Sequence, residues 1–253
     1  MAAEPRSPRL AVLIDADNTS ARIADGLFDE IAKIGEASVR RIYGDFSGTR
    51  LKSWADILAK HAIVPHQNFA YTQGKNASDI ALVIDAMDLL NTGRFDGFCL
   101  VSSDSDFTRL ASRIREQGTD VFGFGAQKTP ESFRQACRRF IYTENLLPAP
   151  PAPDRPAEPK AKPLQGLEDA VALLRKAIDK LDDDEDGWVE LGGVGRVVAN
   201  LAPDFDPRTY GFGRLGDLVN KTGAFDVERM EGRGLRIRLK PEKKRETAKR
   251  TKG

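Results

Sequence analysis

Short apolar runs alternate with segments of helical periodicity along the first 147 residues of the chain. Residues 10–14 form an apolar run that stops at Asp15, as expected for a buried strand. Apolar side chains then recur at helical spacing from Ile23 to Ile34. Further strands are predicted at 39–46, 63–69, 98–102 and 121–124, and further helices at 51–60, 78–90, 107–115 and 131–138. This alternation predicts an α/β fold in which helices flank a parallel sheet.

A different pattern follows in the last third of the chain. Apolar residues on one helical face run from Leu167 to Leu181, and two more helices are predicted at 191–201 and 215–219. A hairpin is predicted last, from strands at 225–228 and 235–239. Three helices and a hairpin indicate a small winged-helix-like domain.

Composition sets the boundaries between these parts. Residues 148–163 are rich in Pro and Ala, which predicts an extended linker, and residues 241–253 contain six Lys or Arg against two Glu, which predicts a disordered basic tail. The domains are therefore expected at 1–147 and 164–240. The net charge is +1 for the chain, −1 and −3 for the two domains, +1 for the linker and +4 for the tail. Overall charge therefore gives no general attraction to nucleic acid.

Cysteine content and hydropathy bear on the cellular location of the protein. The chain has two cysteines, Cys99 and Cys137, too few for a disulfide framework or a zinc site. No apolar run is long enough for a membrane span, and the first residues lack the apolar core of a signal peptide. We expect a cytoplasmic protein with no membrane partner.

Acidic residues follow the predicted strands at two places. Asp15 and Asp17 come after the first strand, Asp104 and Asp106 come after the fourth, and Asp79 lies at the start of a helix. Parallel sheets bind ligands at the carboxyl ends of their strands, where the strand order reverses. If the first and fourth strands are neighbours, these carboxylates meet there. Hard oxygen ligands favour Mg²⁺ or Mn²⁺.

Other interpretations of these residues stay open. An Asp after a strand is often a turn former or a helix N-cap, and this interpretation leads for Asp17 and Asp45 and also fits Asp106. Residues 15–19 (DADNT) also match the signature of haloacid-dehalogenase-type phosphatases. His61 and His66 have no matching nucleophile motif.

Three motifs carry a family resemblance. Residues 13–18 (LIDADN), 75–79 (KNASD) and 101–107 (VSSDSDF) resemble the NYN domain, a branch of the PIN-like nucleases close to the LabA-like (DUF88) proteins. The resemblance covers nearly all of residues 9–145 and implies a PIN-like fold with a metal-dependent ribonuclease site. It implies acidic ligands and catalytic residues at Asp15, Asp79, Asp104 and Asp106. The substrate-binding residues that we expect beside them are Asn18, Lys75, Ser102, Ser103, Arg109 and Arg113.

The C-terminal part resembles the OST-HTH, or LOTUS, domain. The resemblance rests on residues 187–191 (GWVEL) and 203–211 (PDFDPRTYG) and covers about 164–240. It implies a module that binds RNA or a protein partner. The candidate RNA contacts are Arg208, Tyr210, Arg214, Lys221 and Arg233.

Together the two resemblances imply a ribonuclease that hydrolyses RNA phosphodiesters with Mg²⁺ or Mn²⁺. The alternative is a non-catalytic RNA-binding or scaffold protein, and a phosphatase ranks behind both. The sequence leaves open which RNA is bound, endonucleolytic against exonucleolytic cleavage, and the oligomeric state.

Overall fold

The computed structural model describes residues 6–67, 77–147, 165–181, 187–230 and 234–240. These residues belong to two compact units, the first from residues 1–164 together with 202–211, and the second from 165–201 together with 212–253. The first unit contains a six-stranded parallel sheet. Its strands are β1 (Arg9–Asp15), β2 (Glu36–Gly44), β3 (Val64–Gln67), β4 (Gly97–Val101), β5 (Asp120–Gly125) and β6 (Arg139–Tyr142).

The strand order places β1 and β4 side by side. The order is β3-β2-β1-β4-β5-β6, so the chain builds outward from β1 in one direction and from β4 in the other. Val12 is paired with Cys99, and Ile14 with Val101. The order therefore reverses between the carboxyl ends of β1 and β4, which is where open parallel sheets bind their ligands.

Helices cover the described sheet on both faces. They are α1 (Ala24–Ala32), α2 (Lys52–Ala55), α3 (Ala77–Asn91), α4 (Phe107–Glu116) and α5 (Glu131–Ala136). Alternate residues of β1 supply the two cores, because successive side chains of a strand point to opposite faces. Leu10 and Ile14 pack in the core with Leu27 of α1, whereas Leu13 packs in the other core with Leu110 of α4.

Two predicted helices differ from the structure. The helix predicted at 51–60 is limited to the single turn of α2, and the residues after it form turns. The helix predicted at 131–138 ends at Ala136, because residues 139–142 form the short edge strand β6, which the periodicity did not separate from it. The predicted α/β architecture with a parallel sheet is confirmed.

The second unit contains three helices and a small antiparallel sheet among its described residues. The elements are α6 (Leu167–Ile178), β7 (Val189–Glu190), α7 (Leu191–Leu201), α8 (Leu215–Thr222), β8 (Phe225–Met230) and β9 (Gly234–Leu239). The sheet order is β7-β9-β8. Leu174, Val194 and Leu218 are fully buried and bring the three helices into one core. The predicted helices and hairpin are confirmed, with β7 as an additional strand.

Residues 202–211 pack within the first unit through polar groups. The amide of Phe140 donates to the carbonyl of Pro203 over 2.8 Å. Asp204 accepts from the guanidinium of Arg134 and, over 2.6 Å, from the hydroxyl of Tyr142. None of the helices in the described residues is both long and apolar enough to cross a membrane.

Candidate active site

Asp15 is the last residue of β1 and is only 1% exposed. One carboxylate oxygen accepts from the amides of Asp17 (3.1 Å) and Asn18 (3.3 Å). The other accepts from the Asn18 side chain (2.8 Å) and from the Ser102 hydroxyl (2.7 Å). Burial raises the pKa of Asp15, against the lowering effect of the Ser102 and Asn18 hydrogen bonds. These four hydrogen bonds favour the charged form of this buried carboxylate at the carboxyl end of β1.

The loop after β4 brings the second acidic group to the same edge. Ser102, directly after β4, is buried, and its hydroxyl also accepts from the amide of Asp104 over 3.1 Å. Asp104 is partly buried and accepts from the amide of Asp106 over 2.9 Å. Ser102 therefore links Asp15 to the backbone that carries Asp104. Asp106 occupies the position before α4 but makes no side-chain capping hydrogen bond to that helix.

Asp79 reaches this edge from the first turn of α3. Its pKa is raised from 3.8 to about 6, first by burial and then by the negative charges of Asp15 and Asp104, with smaller contributions from Asp17 and Asp106. Since like charges act on Asp79 from both strand ends, the structure brings the four predicted acidic residues together at one edge. Within the described part of the chain, no Lys or Arg pairs with Asp15, Asp79 or Asp104, whereas the neighbouring Asp17 pairs with Arg50.

Asp17 is one of the two acidic residues, with Asp45, for which a role as a turn former was the leading interpretation. Its carboxylate pairs with the guanidinium of Arg50 over 2.6 Å and accepts from the Ser78 hydroxyl over 3.2 Å. It thus connects the loop after β1 to the start of α3, beside Asp79. The Asp-x-Asp spacing at 15–17 was the sequence feature that could have indicated that Asp17 lies close to the other acidic residues. Asp45, by contrast, accepts from Ser47 within its own turn, as the turn interpretation expects.

The expected substrate-binding residues differ in whether they contact the acidic residues. Asn18 and Ser102 contact Asp15, and the Ser103 hydroxyl accepts from the amide of Ala126 over 2.8 Å. Arg109 and Arg113 are exposed on α4, and Arg113 pairs weakly with Glu116 at 3.4 Å. Lys75 lies outside the described residues.

The candidate RNA contacts of the C-terminal part are divided between the units. Arg208 and Tyr210 belong to the first unit, where Arg208 pairs with Asp206 and Glu30, and Tyr210 is 5% exposed. Arg214 and Lys221 are exposed at the two ends of α8 in the second unit. Arg233 lies outside the described residues.

A divalent ion is the cofactor that this arrangement would have to accommodate. The donor chemistry fits, because the clustered groups are carboxylates, and the pKa of Asp79 is raised by burial and then by the negative charges of Asp15 and Asp104. However, no group of three or more acidic, His or Cys side chains in the described ranges is arranged to hold an ion.

The residues Asp15, Asp79, Asp104 and Asp106 at the carboxyl ends of β1 and β4 are called the acidic edge below. The fold and the acidic edge together define the class of protein. The sheet order 3-2-1-4-5-6 with carboxylates at the β1/β4 junction is an α/β domain of the PIN-like type. The NYN domain model matches residues 9–146, and the chain belongs to the NYN family. The OST-HTH/LOTUS domain model matches residues 165–237, so the second predicted domain is also identified.

Solved structures add little beyond this assignment. The chain is similar to a protein of unknown function from Vibrio parahaemolyticus, with 18% identity, 56% of this chain and 96% of that chain covered, and a TM-score of 0.47. It is also similar to an uncharacterized protein from Nitrosomonas europaea, with 33% identity, 38% of this chain and 90% of that chain covered, and a TM-score of 0.26. No curated protein matches the chain.

Proposed function

We propose that the protein is a divalent-metal-dependent ribonuclease whose C-terminal domain binds RNA. NYN domains are typically nucleases, and OST-HTH domains bind RNA. The observation that carries the proposal is the position of Asp15, Asp79 and Asp104 at the strand-order reversal, where the charges of Asp15 and Asp104 act on Asp79. Repulsion between neighbouring carboxylates, one of them buried, is unfavourable for folding, and a bound Mg²⁺ or Mn²⁺ would offset it.

In this proposal Asp15 and Asp104 hold the ion, with Asp79 and Asp106 completing the acidic environment. A bound ion would lower the pKa of water and stabilise charge on a phosphoryl oxygen. Asp15 already accepts four hydrogen bonds, so one donor must give way to an ion. The exposed Asn18 side chain is the donor best placed to turn aside, which would free it to contact the substrate.

The second candidate is a non-catalytic RNA-binding or scaffold protein. It is favoured by one observation, namely that the described acidic side chains form no group of three arranged around an ion. In that case the acidic edge would be retained for binding or structure, and the C-terminal domain would recruit RNA or a protein partner.

Cleavage of labelled RNA separates these two functions. Purified full-length protein is incubated with single-stranded and structured RNA in Mn²⁺, Mg²⁺ or EDTA. Metal-dependent cleavage is expected, with the rate lowered at least about 100-fold, or about 2.7 kcal/mol, by Asp104→Asn. Asn at this position can still accept from the amide of Asp106, so the loop should keep its conformation.

Asp88→Asn is the matched control, because Asp88 is exposed on α3 and lies outside the acidic edge. It should cleave like the parent protein. RNA binding without cleavage in either metal would support the scaffold function instead.

A further inference from the structure

Helix α3 is apolar around most of its circumference, although only one of its faces is covered. Ten of its 15 residues are apolar, but only three of these, Leu82, Ala86 and Leu89, are buried. On the opposite side of the helix, Ile80 and Ile84 are 60% and 57% exposed. A helix that is apolar on all sides is typical of a buried position, so the outer face of α3 indicates a surface on which another element packs.

The outer residues of α3 follow the spacing of a seam between two helices. Ile80, Ile84, Met87 and Asn91 are separated by four, three and four residues, which places them along one line of the helix. This is the alternation of a and d positions in a coiled coil, with Asn91 as a polar a position. The four residues are called the α3 seam below. No charged residue interrupts the seam.

We infer that the α3 seam packs against the α3 seam of a second copy of the chain, antiparallel, around a twofold axis near Ile84. The inference is independent of the proposed cleavage chemistry. In a twofold interface the same surface supplies both sides, and a seam of a and d positions is a surface that fits its own copy. A groove of about 220 Å³, lined in part by Ile80, Val83 and Phe107, borders the seam and can receive side chains of the facing helix.

Electrostatics favour the antiparallel orientation. Asp88 lies near the carboxyl end of α3, where the helix dipole disfavours a negative charge. In an antiparallel pair this carboxylate lies beside the amino end of the partner helix, where the dipole favours it. A parallel pair would instead bring the first turns of both helices together, each with its Asp79, and like charges repel.

The size of the surface sets the expected affinity. A helix of 15 residues is about 22 Å long, and α3 with the neighbouring α4 is roughly 20 Å across. The contact is therefore on the order of 500 Å² on each copy, below the roughly 800 Å² of a standard interface and in the range of reversible complexes. We expect a dimer with a Kd of about 10 μM.

Sedimentation velocity of the full-length protein between about 1 and 200 μM tests for this dimer. The parent protein should pass from monomer to dimer over that range. Ile84→Glu places two carboxylates at the axis and should raise the Kd at least about 50-fold, which leaves the protein monomeric. Because Ile84 is exposed, the variant should fold like the parent protein, which circular dichroism checks. Val64→Glu is the matched control, since Val64 is 56% exposed but lies on β3, and it should dimerise like the parent protein.

Cysteine cross-linking tests the orientation. With a mild thiol oxidant, Ile84→Cys should form a disulfide between two copies, because these side chains meet at the axis. Ile80→Cys alone should not, since its two copies lie about 12 Å apart along an antiparallel pair. A mixture of Ile80→Cys and Met87→Cys should cross-link as a heterodimer. The native Cys99 and Cys137 are buried and should give no background.

Three results would overturn the inference. A parent protein that stays monomeric up to the highest concentration would leave the seam without a second copy. A dimer that Ile84→Glu leaves intact would place the interface elsewhere on the chain. A disulfide between two copies of Ile80→Cys would reject the antiparallel arrangement.

Discussion

Buried carboxylates lie at two places in the first compact unit, and among the described residues arginine pairs with Glu30 and Asp206 at one place but not with Asp15 at the other. Glu30 is 3% exposed and pairs with Arg139 (3.1 Å) and Arg208 (3.0 Å). Asp15 is 1% exposed, and the donors to its carboxylate in the described ranges are neutral: two backbone amides, the Asn18 side chain and the Ser102 hydroxyl. Burial acts to raise the pKa of both, but hydrogen bonds from Lys33 and Arg208 outweigh it at Glu30 and lower its pKa, whereas the pKa of Asp15 is raised.

Under the proposed function, the difference separates carboxylates that stabilise the fold through ion pairs from carboxylates that bind a cation. At Glu30 the protein supplies the cations itself, so the ion pairs are part of the folded structure. At the acidic edge, no Lys or Arg of the described ranges pairs with Asp15 or Asp79, and the charge of Asp15 contributes to the raised pKa of Asp79. Buried charge without a partner is unfavourable unless something outside the chain neutralises it. The contrast is therefore an argument for a cationic ligand at the edge.

Removal of Arg208, which pairs with Glu30 and Asp206, should have the largest effect on the free energy of unfolding. Arg208→Ala leaves Asp206 and Glu30 buried without a shared cation, and we expect the free energy of unfolding to fall by about 3 kcal/mol. Urea unfolding followed by the fluorescence of Trp54, which is buried in the first unit, measures this in a Trp188→Phe background. A change below about 0.5 kcal/mol would mean that these pairs contribute no more than surface pairs.

Removal of the Asp79 charge from the acidic edge should stabilise the protein. The pKa of Asp79 is higher in the folded state, about 6 against 3.8, so the folded state loses stability as pH rises through this interval. At pH 7.5 in EDTA we expect Asp79→Asn to raise the free energy of unfolding by about 1 kcal/mol, less than the full linkage value because solvent screens the group.

The pH and metal dependence test this gain. Urea unfolding should show that it disappears below pH 3.8, where the carboxyl group is protonated in both states. Added Mn²⁺ should stabilise the parent protein more than the variant. A gain that is independent of pH would assign the effect to packing and weaken the electrostatic comparison.

An exposed arginine beside the acidic edge should have the smallest effect. Arg50 pairs with Asp17 at 2.6 Å, but its side chain is 65% exposed. Arg50→Ala should change the free energy of unfolding by no more than about 0.5 kcal/mol, as for other solvent-exposed pairs. The same fluorescence assay compares it directly with Arg208→Ala. A loss as large as that of Arg208→Ala would erase the distinction between the two groups.

Several features of the site were predictable because they are local in the chain. Each apolar run of the sheet ends where its acidic residues begin, so Asp15 and Asp104 could be assigned to the carboxyl ends of strands. Asp79 could be placed in the first turn of a helix from periodicity. Asp85 was less predictable. It pairs with Arg41 and accepts from the Tyr43 hydroxyl, because β2 packs beneath α3, and neither contact follows from the local pattern around Asp85. The roles of the site residues and the domain boundaries stay predictions.

The sequence alone determined the alternation of buried strands and helices, the acidic motifs at strand ends and the membership of both domain families. These features depend on short-range periodicity and spacing, which a chain carries without its fold. The tertiary structure decided that β1 lies beside β4, that Ser102 donates to Asp15 and that Arg208 neutralises Glu30. Those pairs lie 87 and 178 residues apart, so their charge balance exists only once the chain has folded.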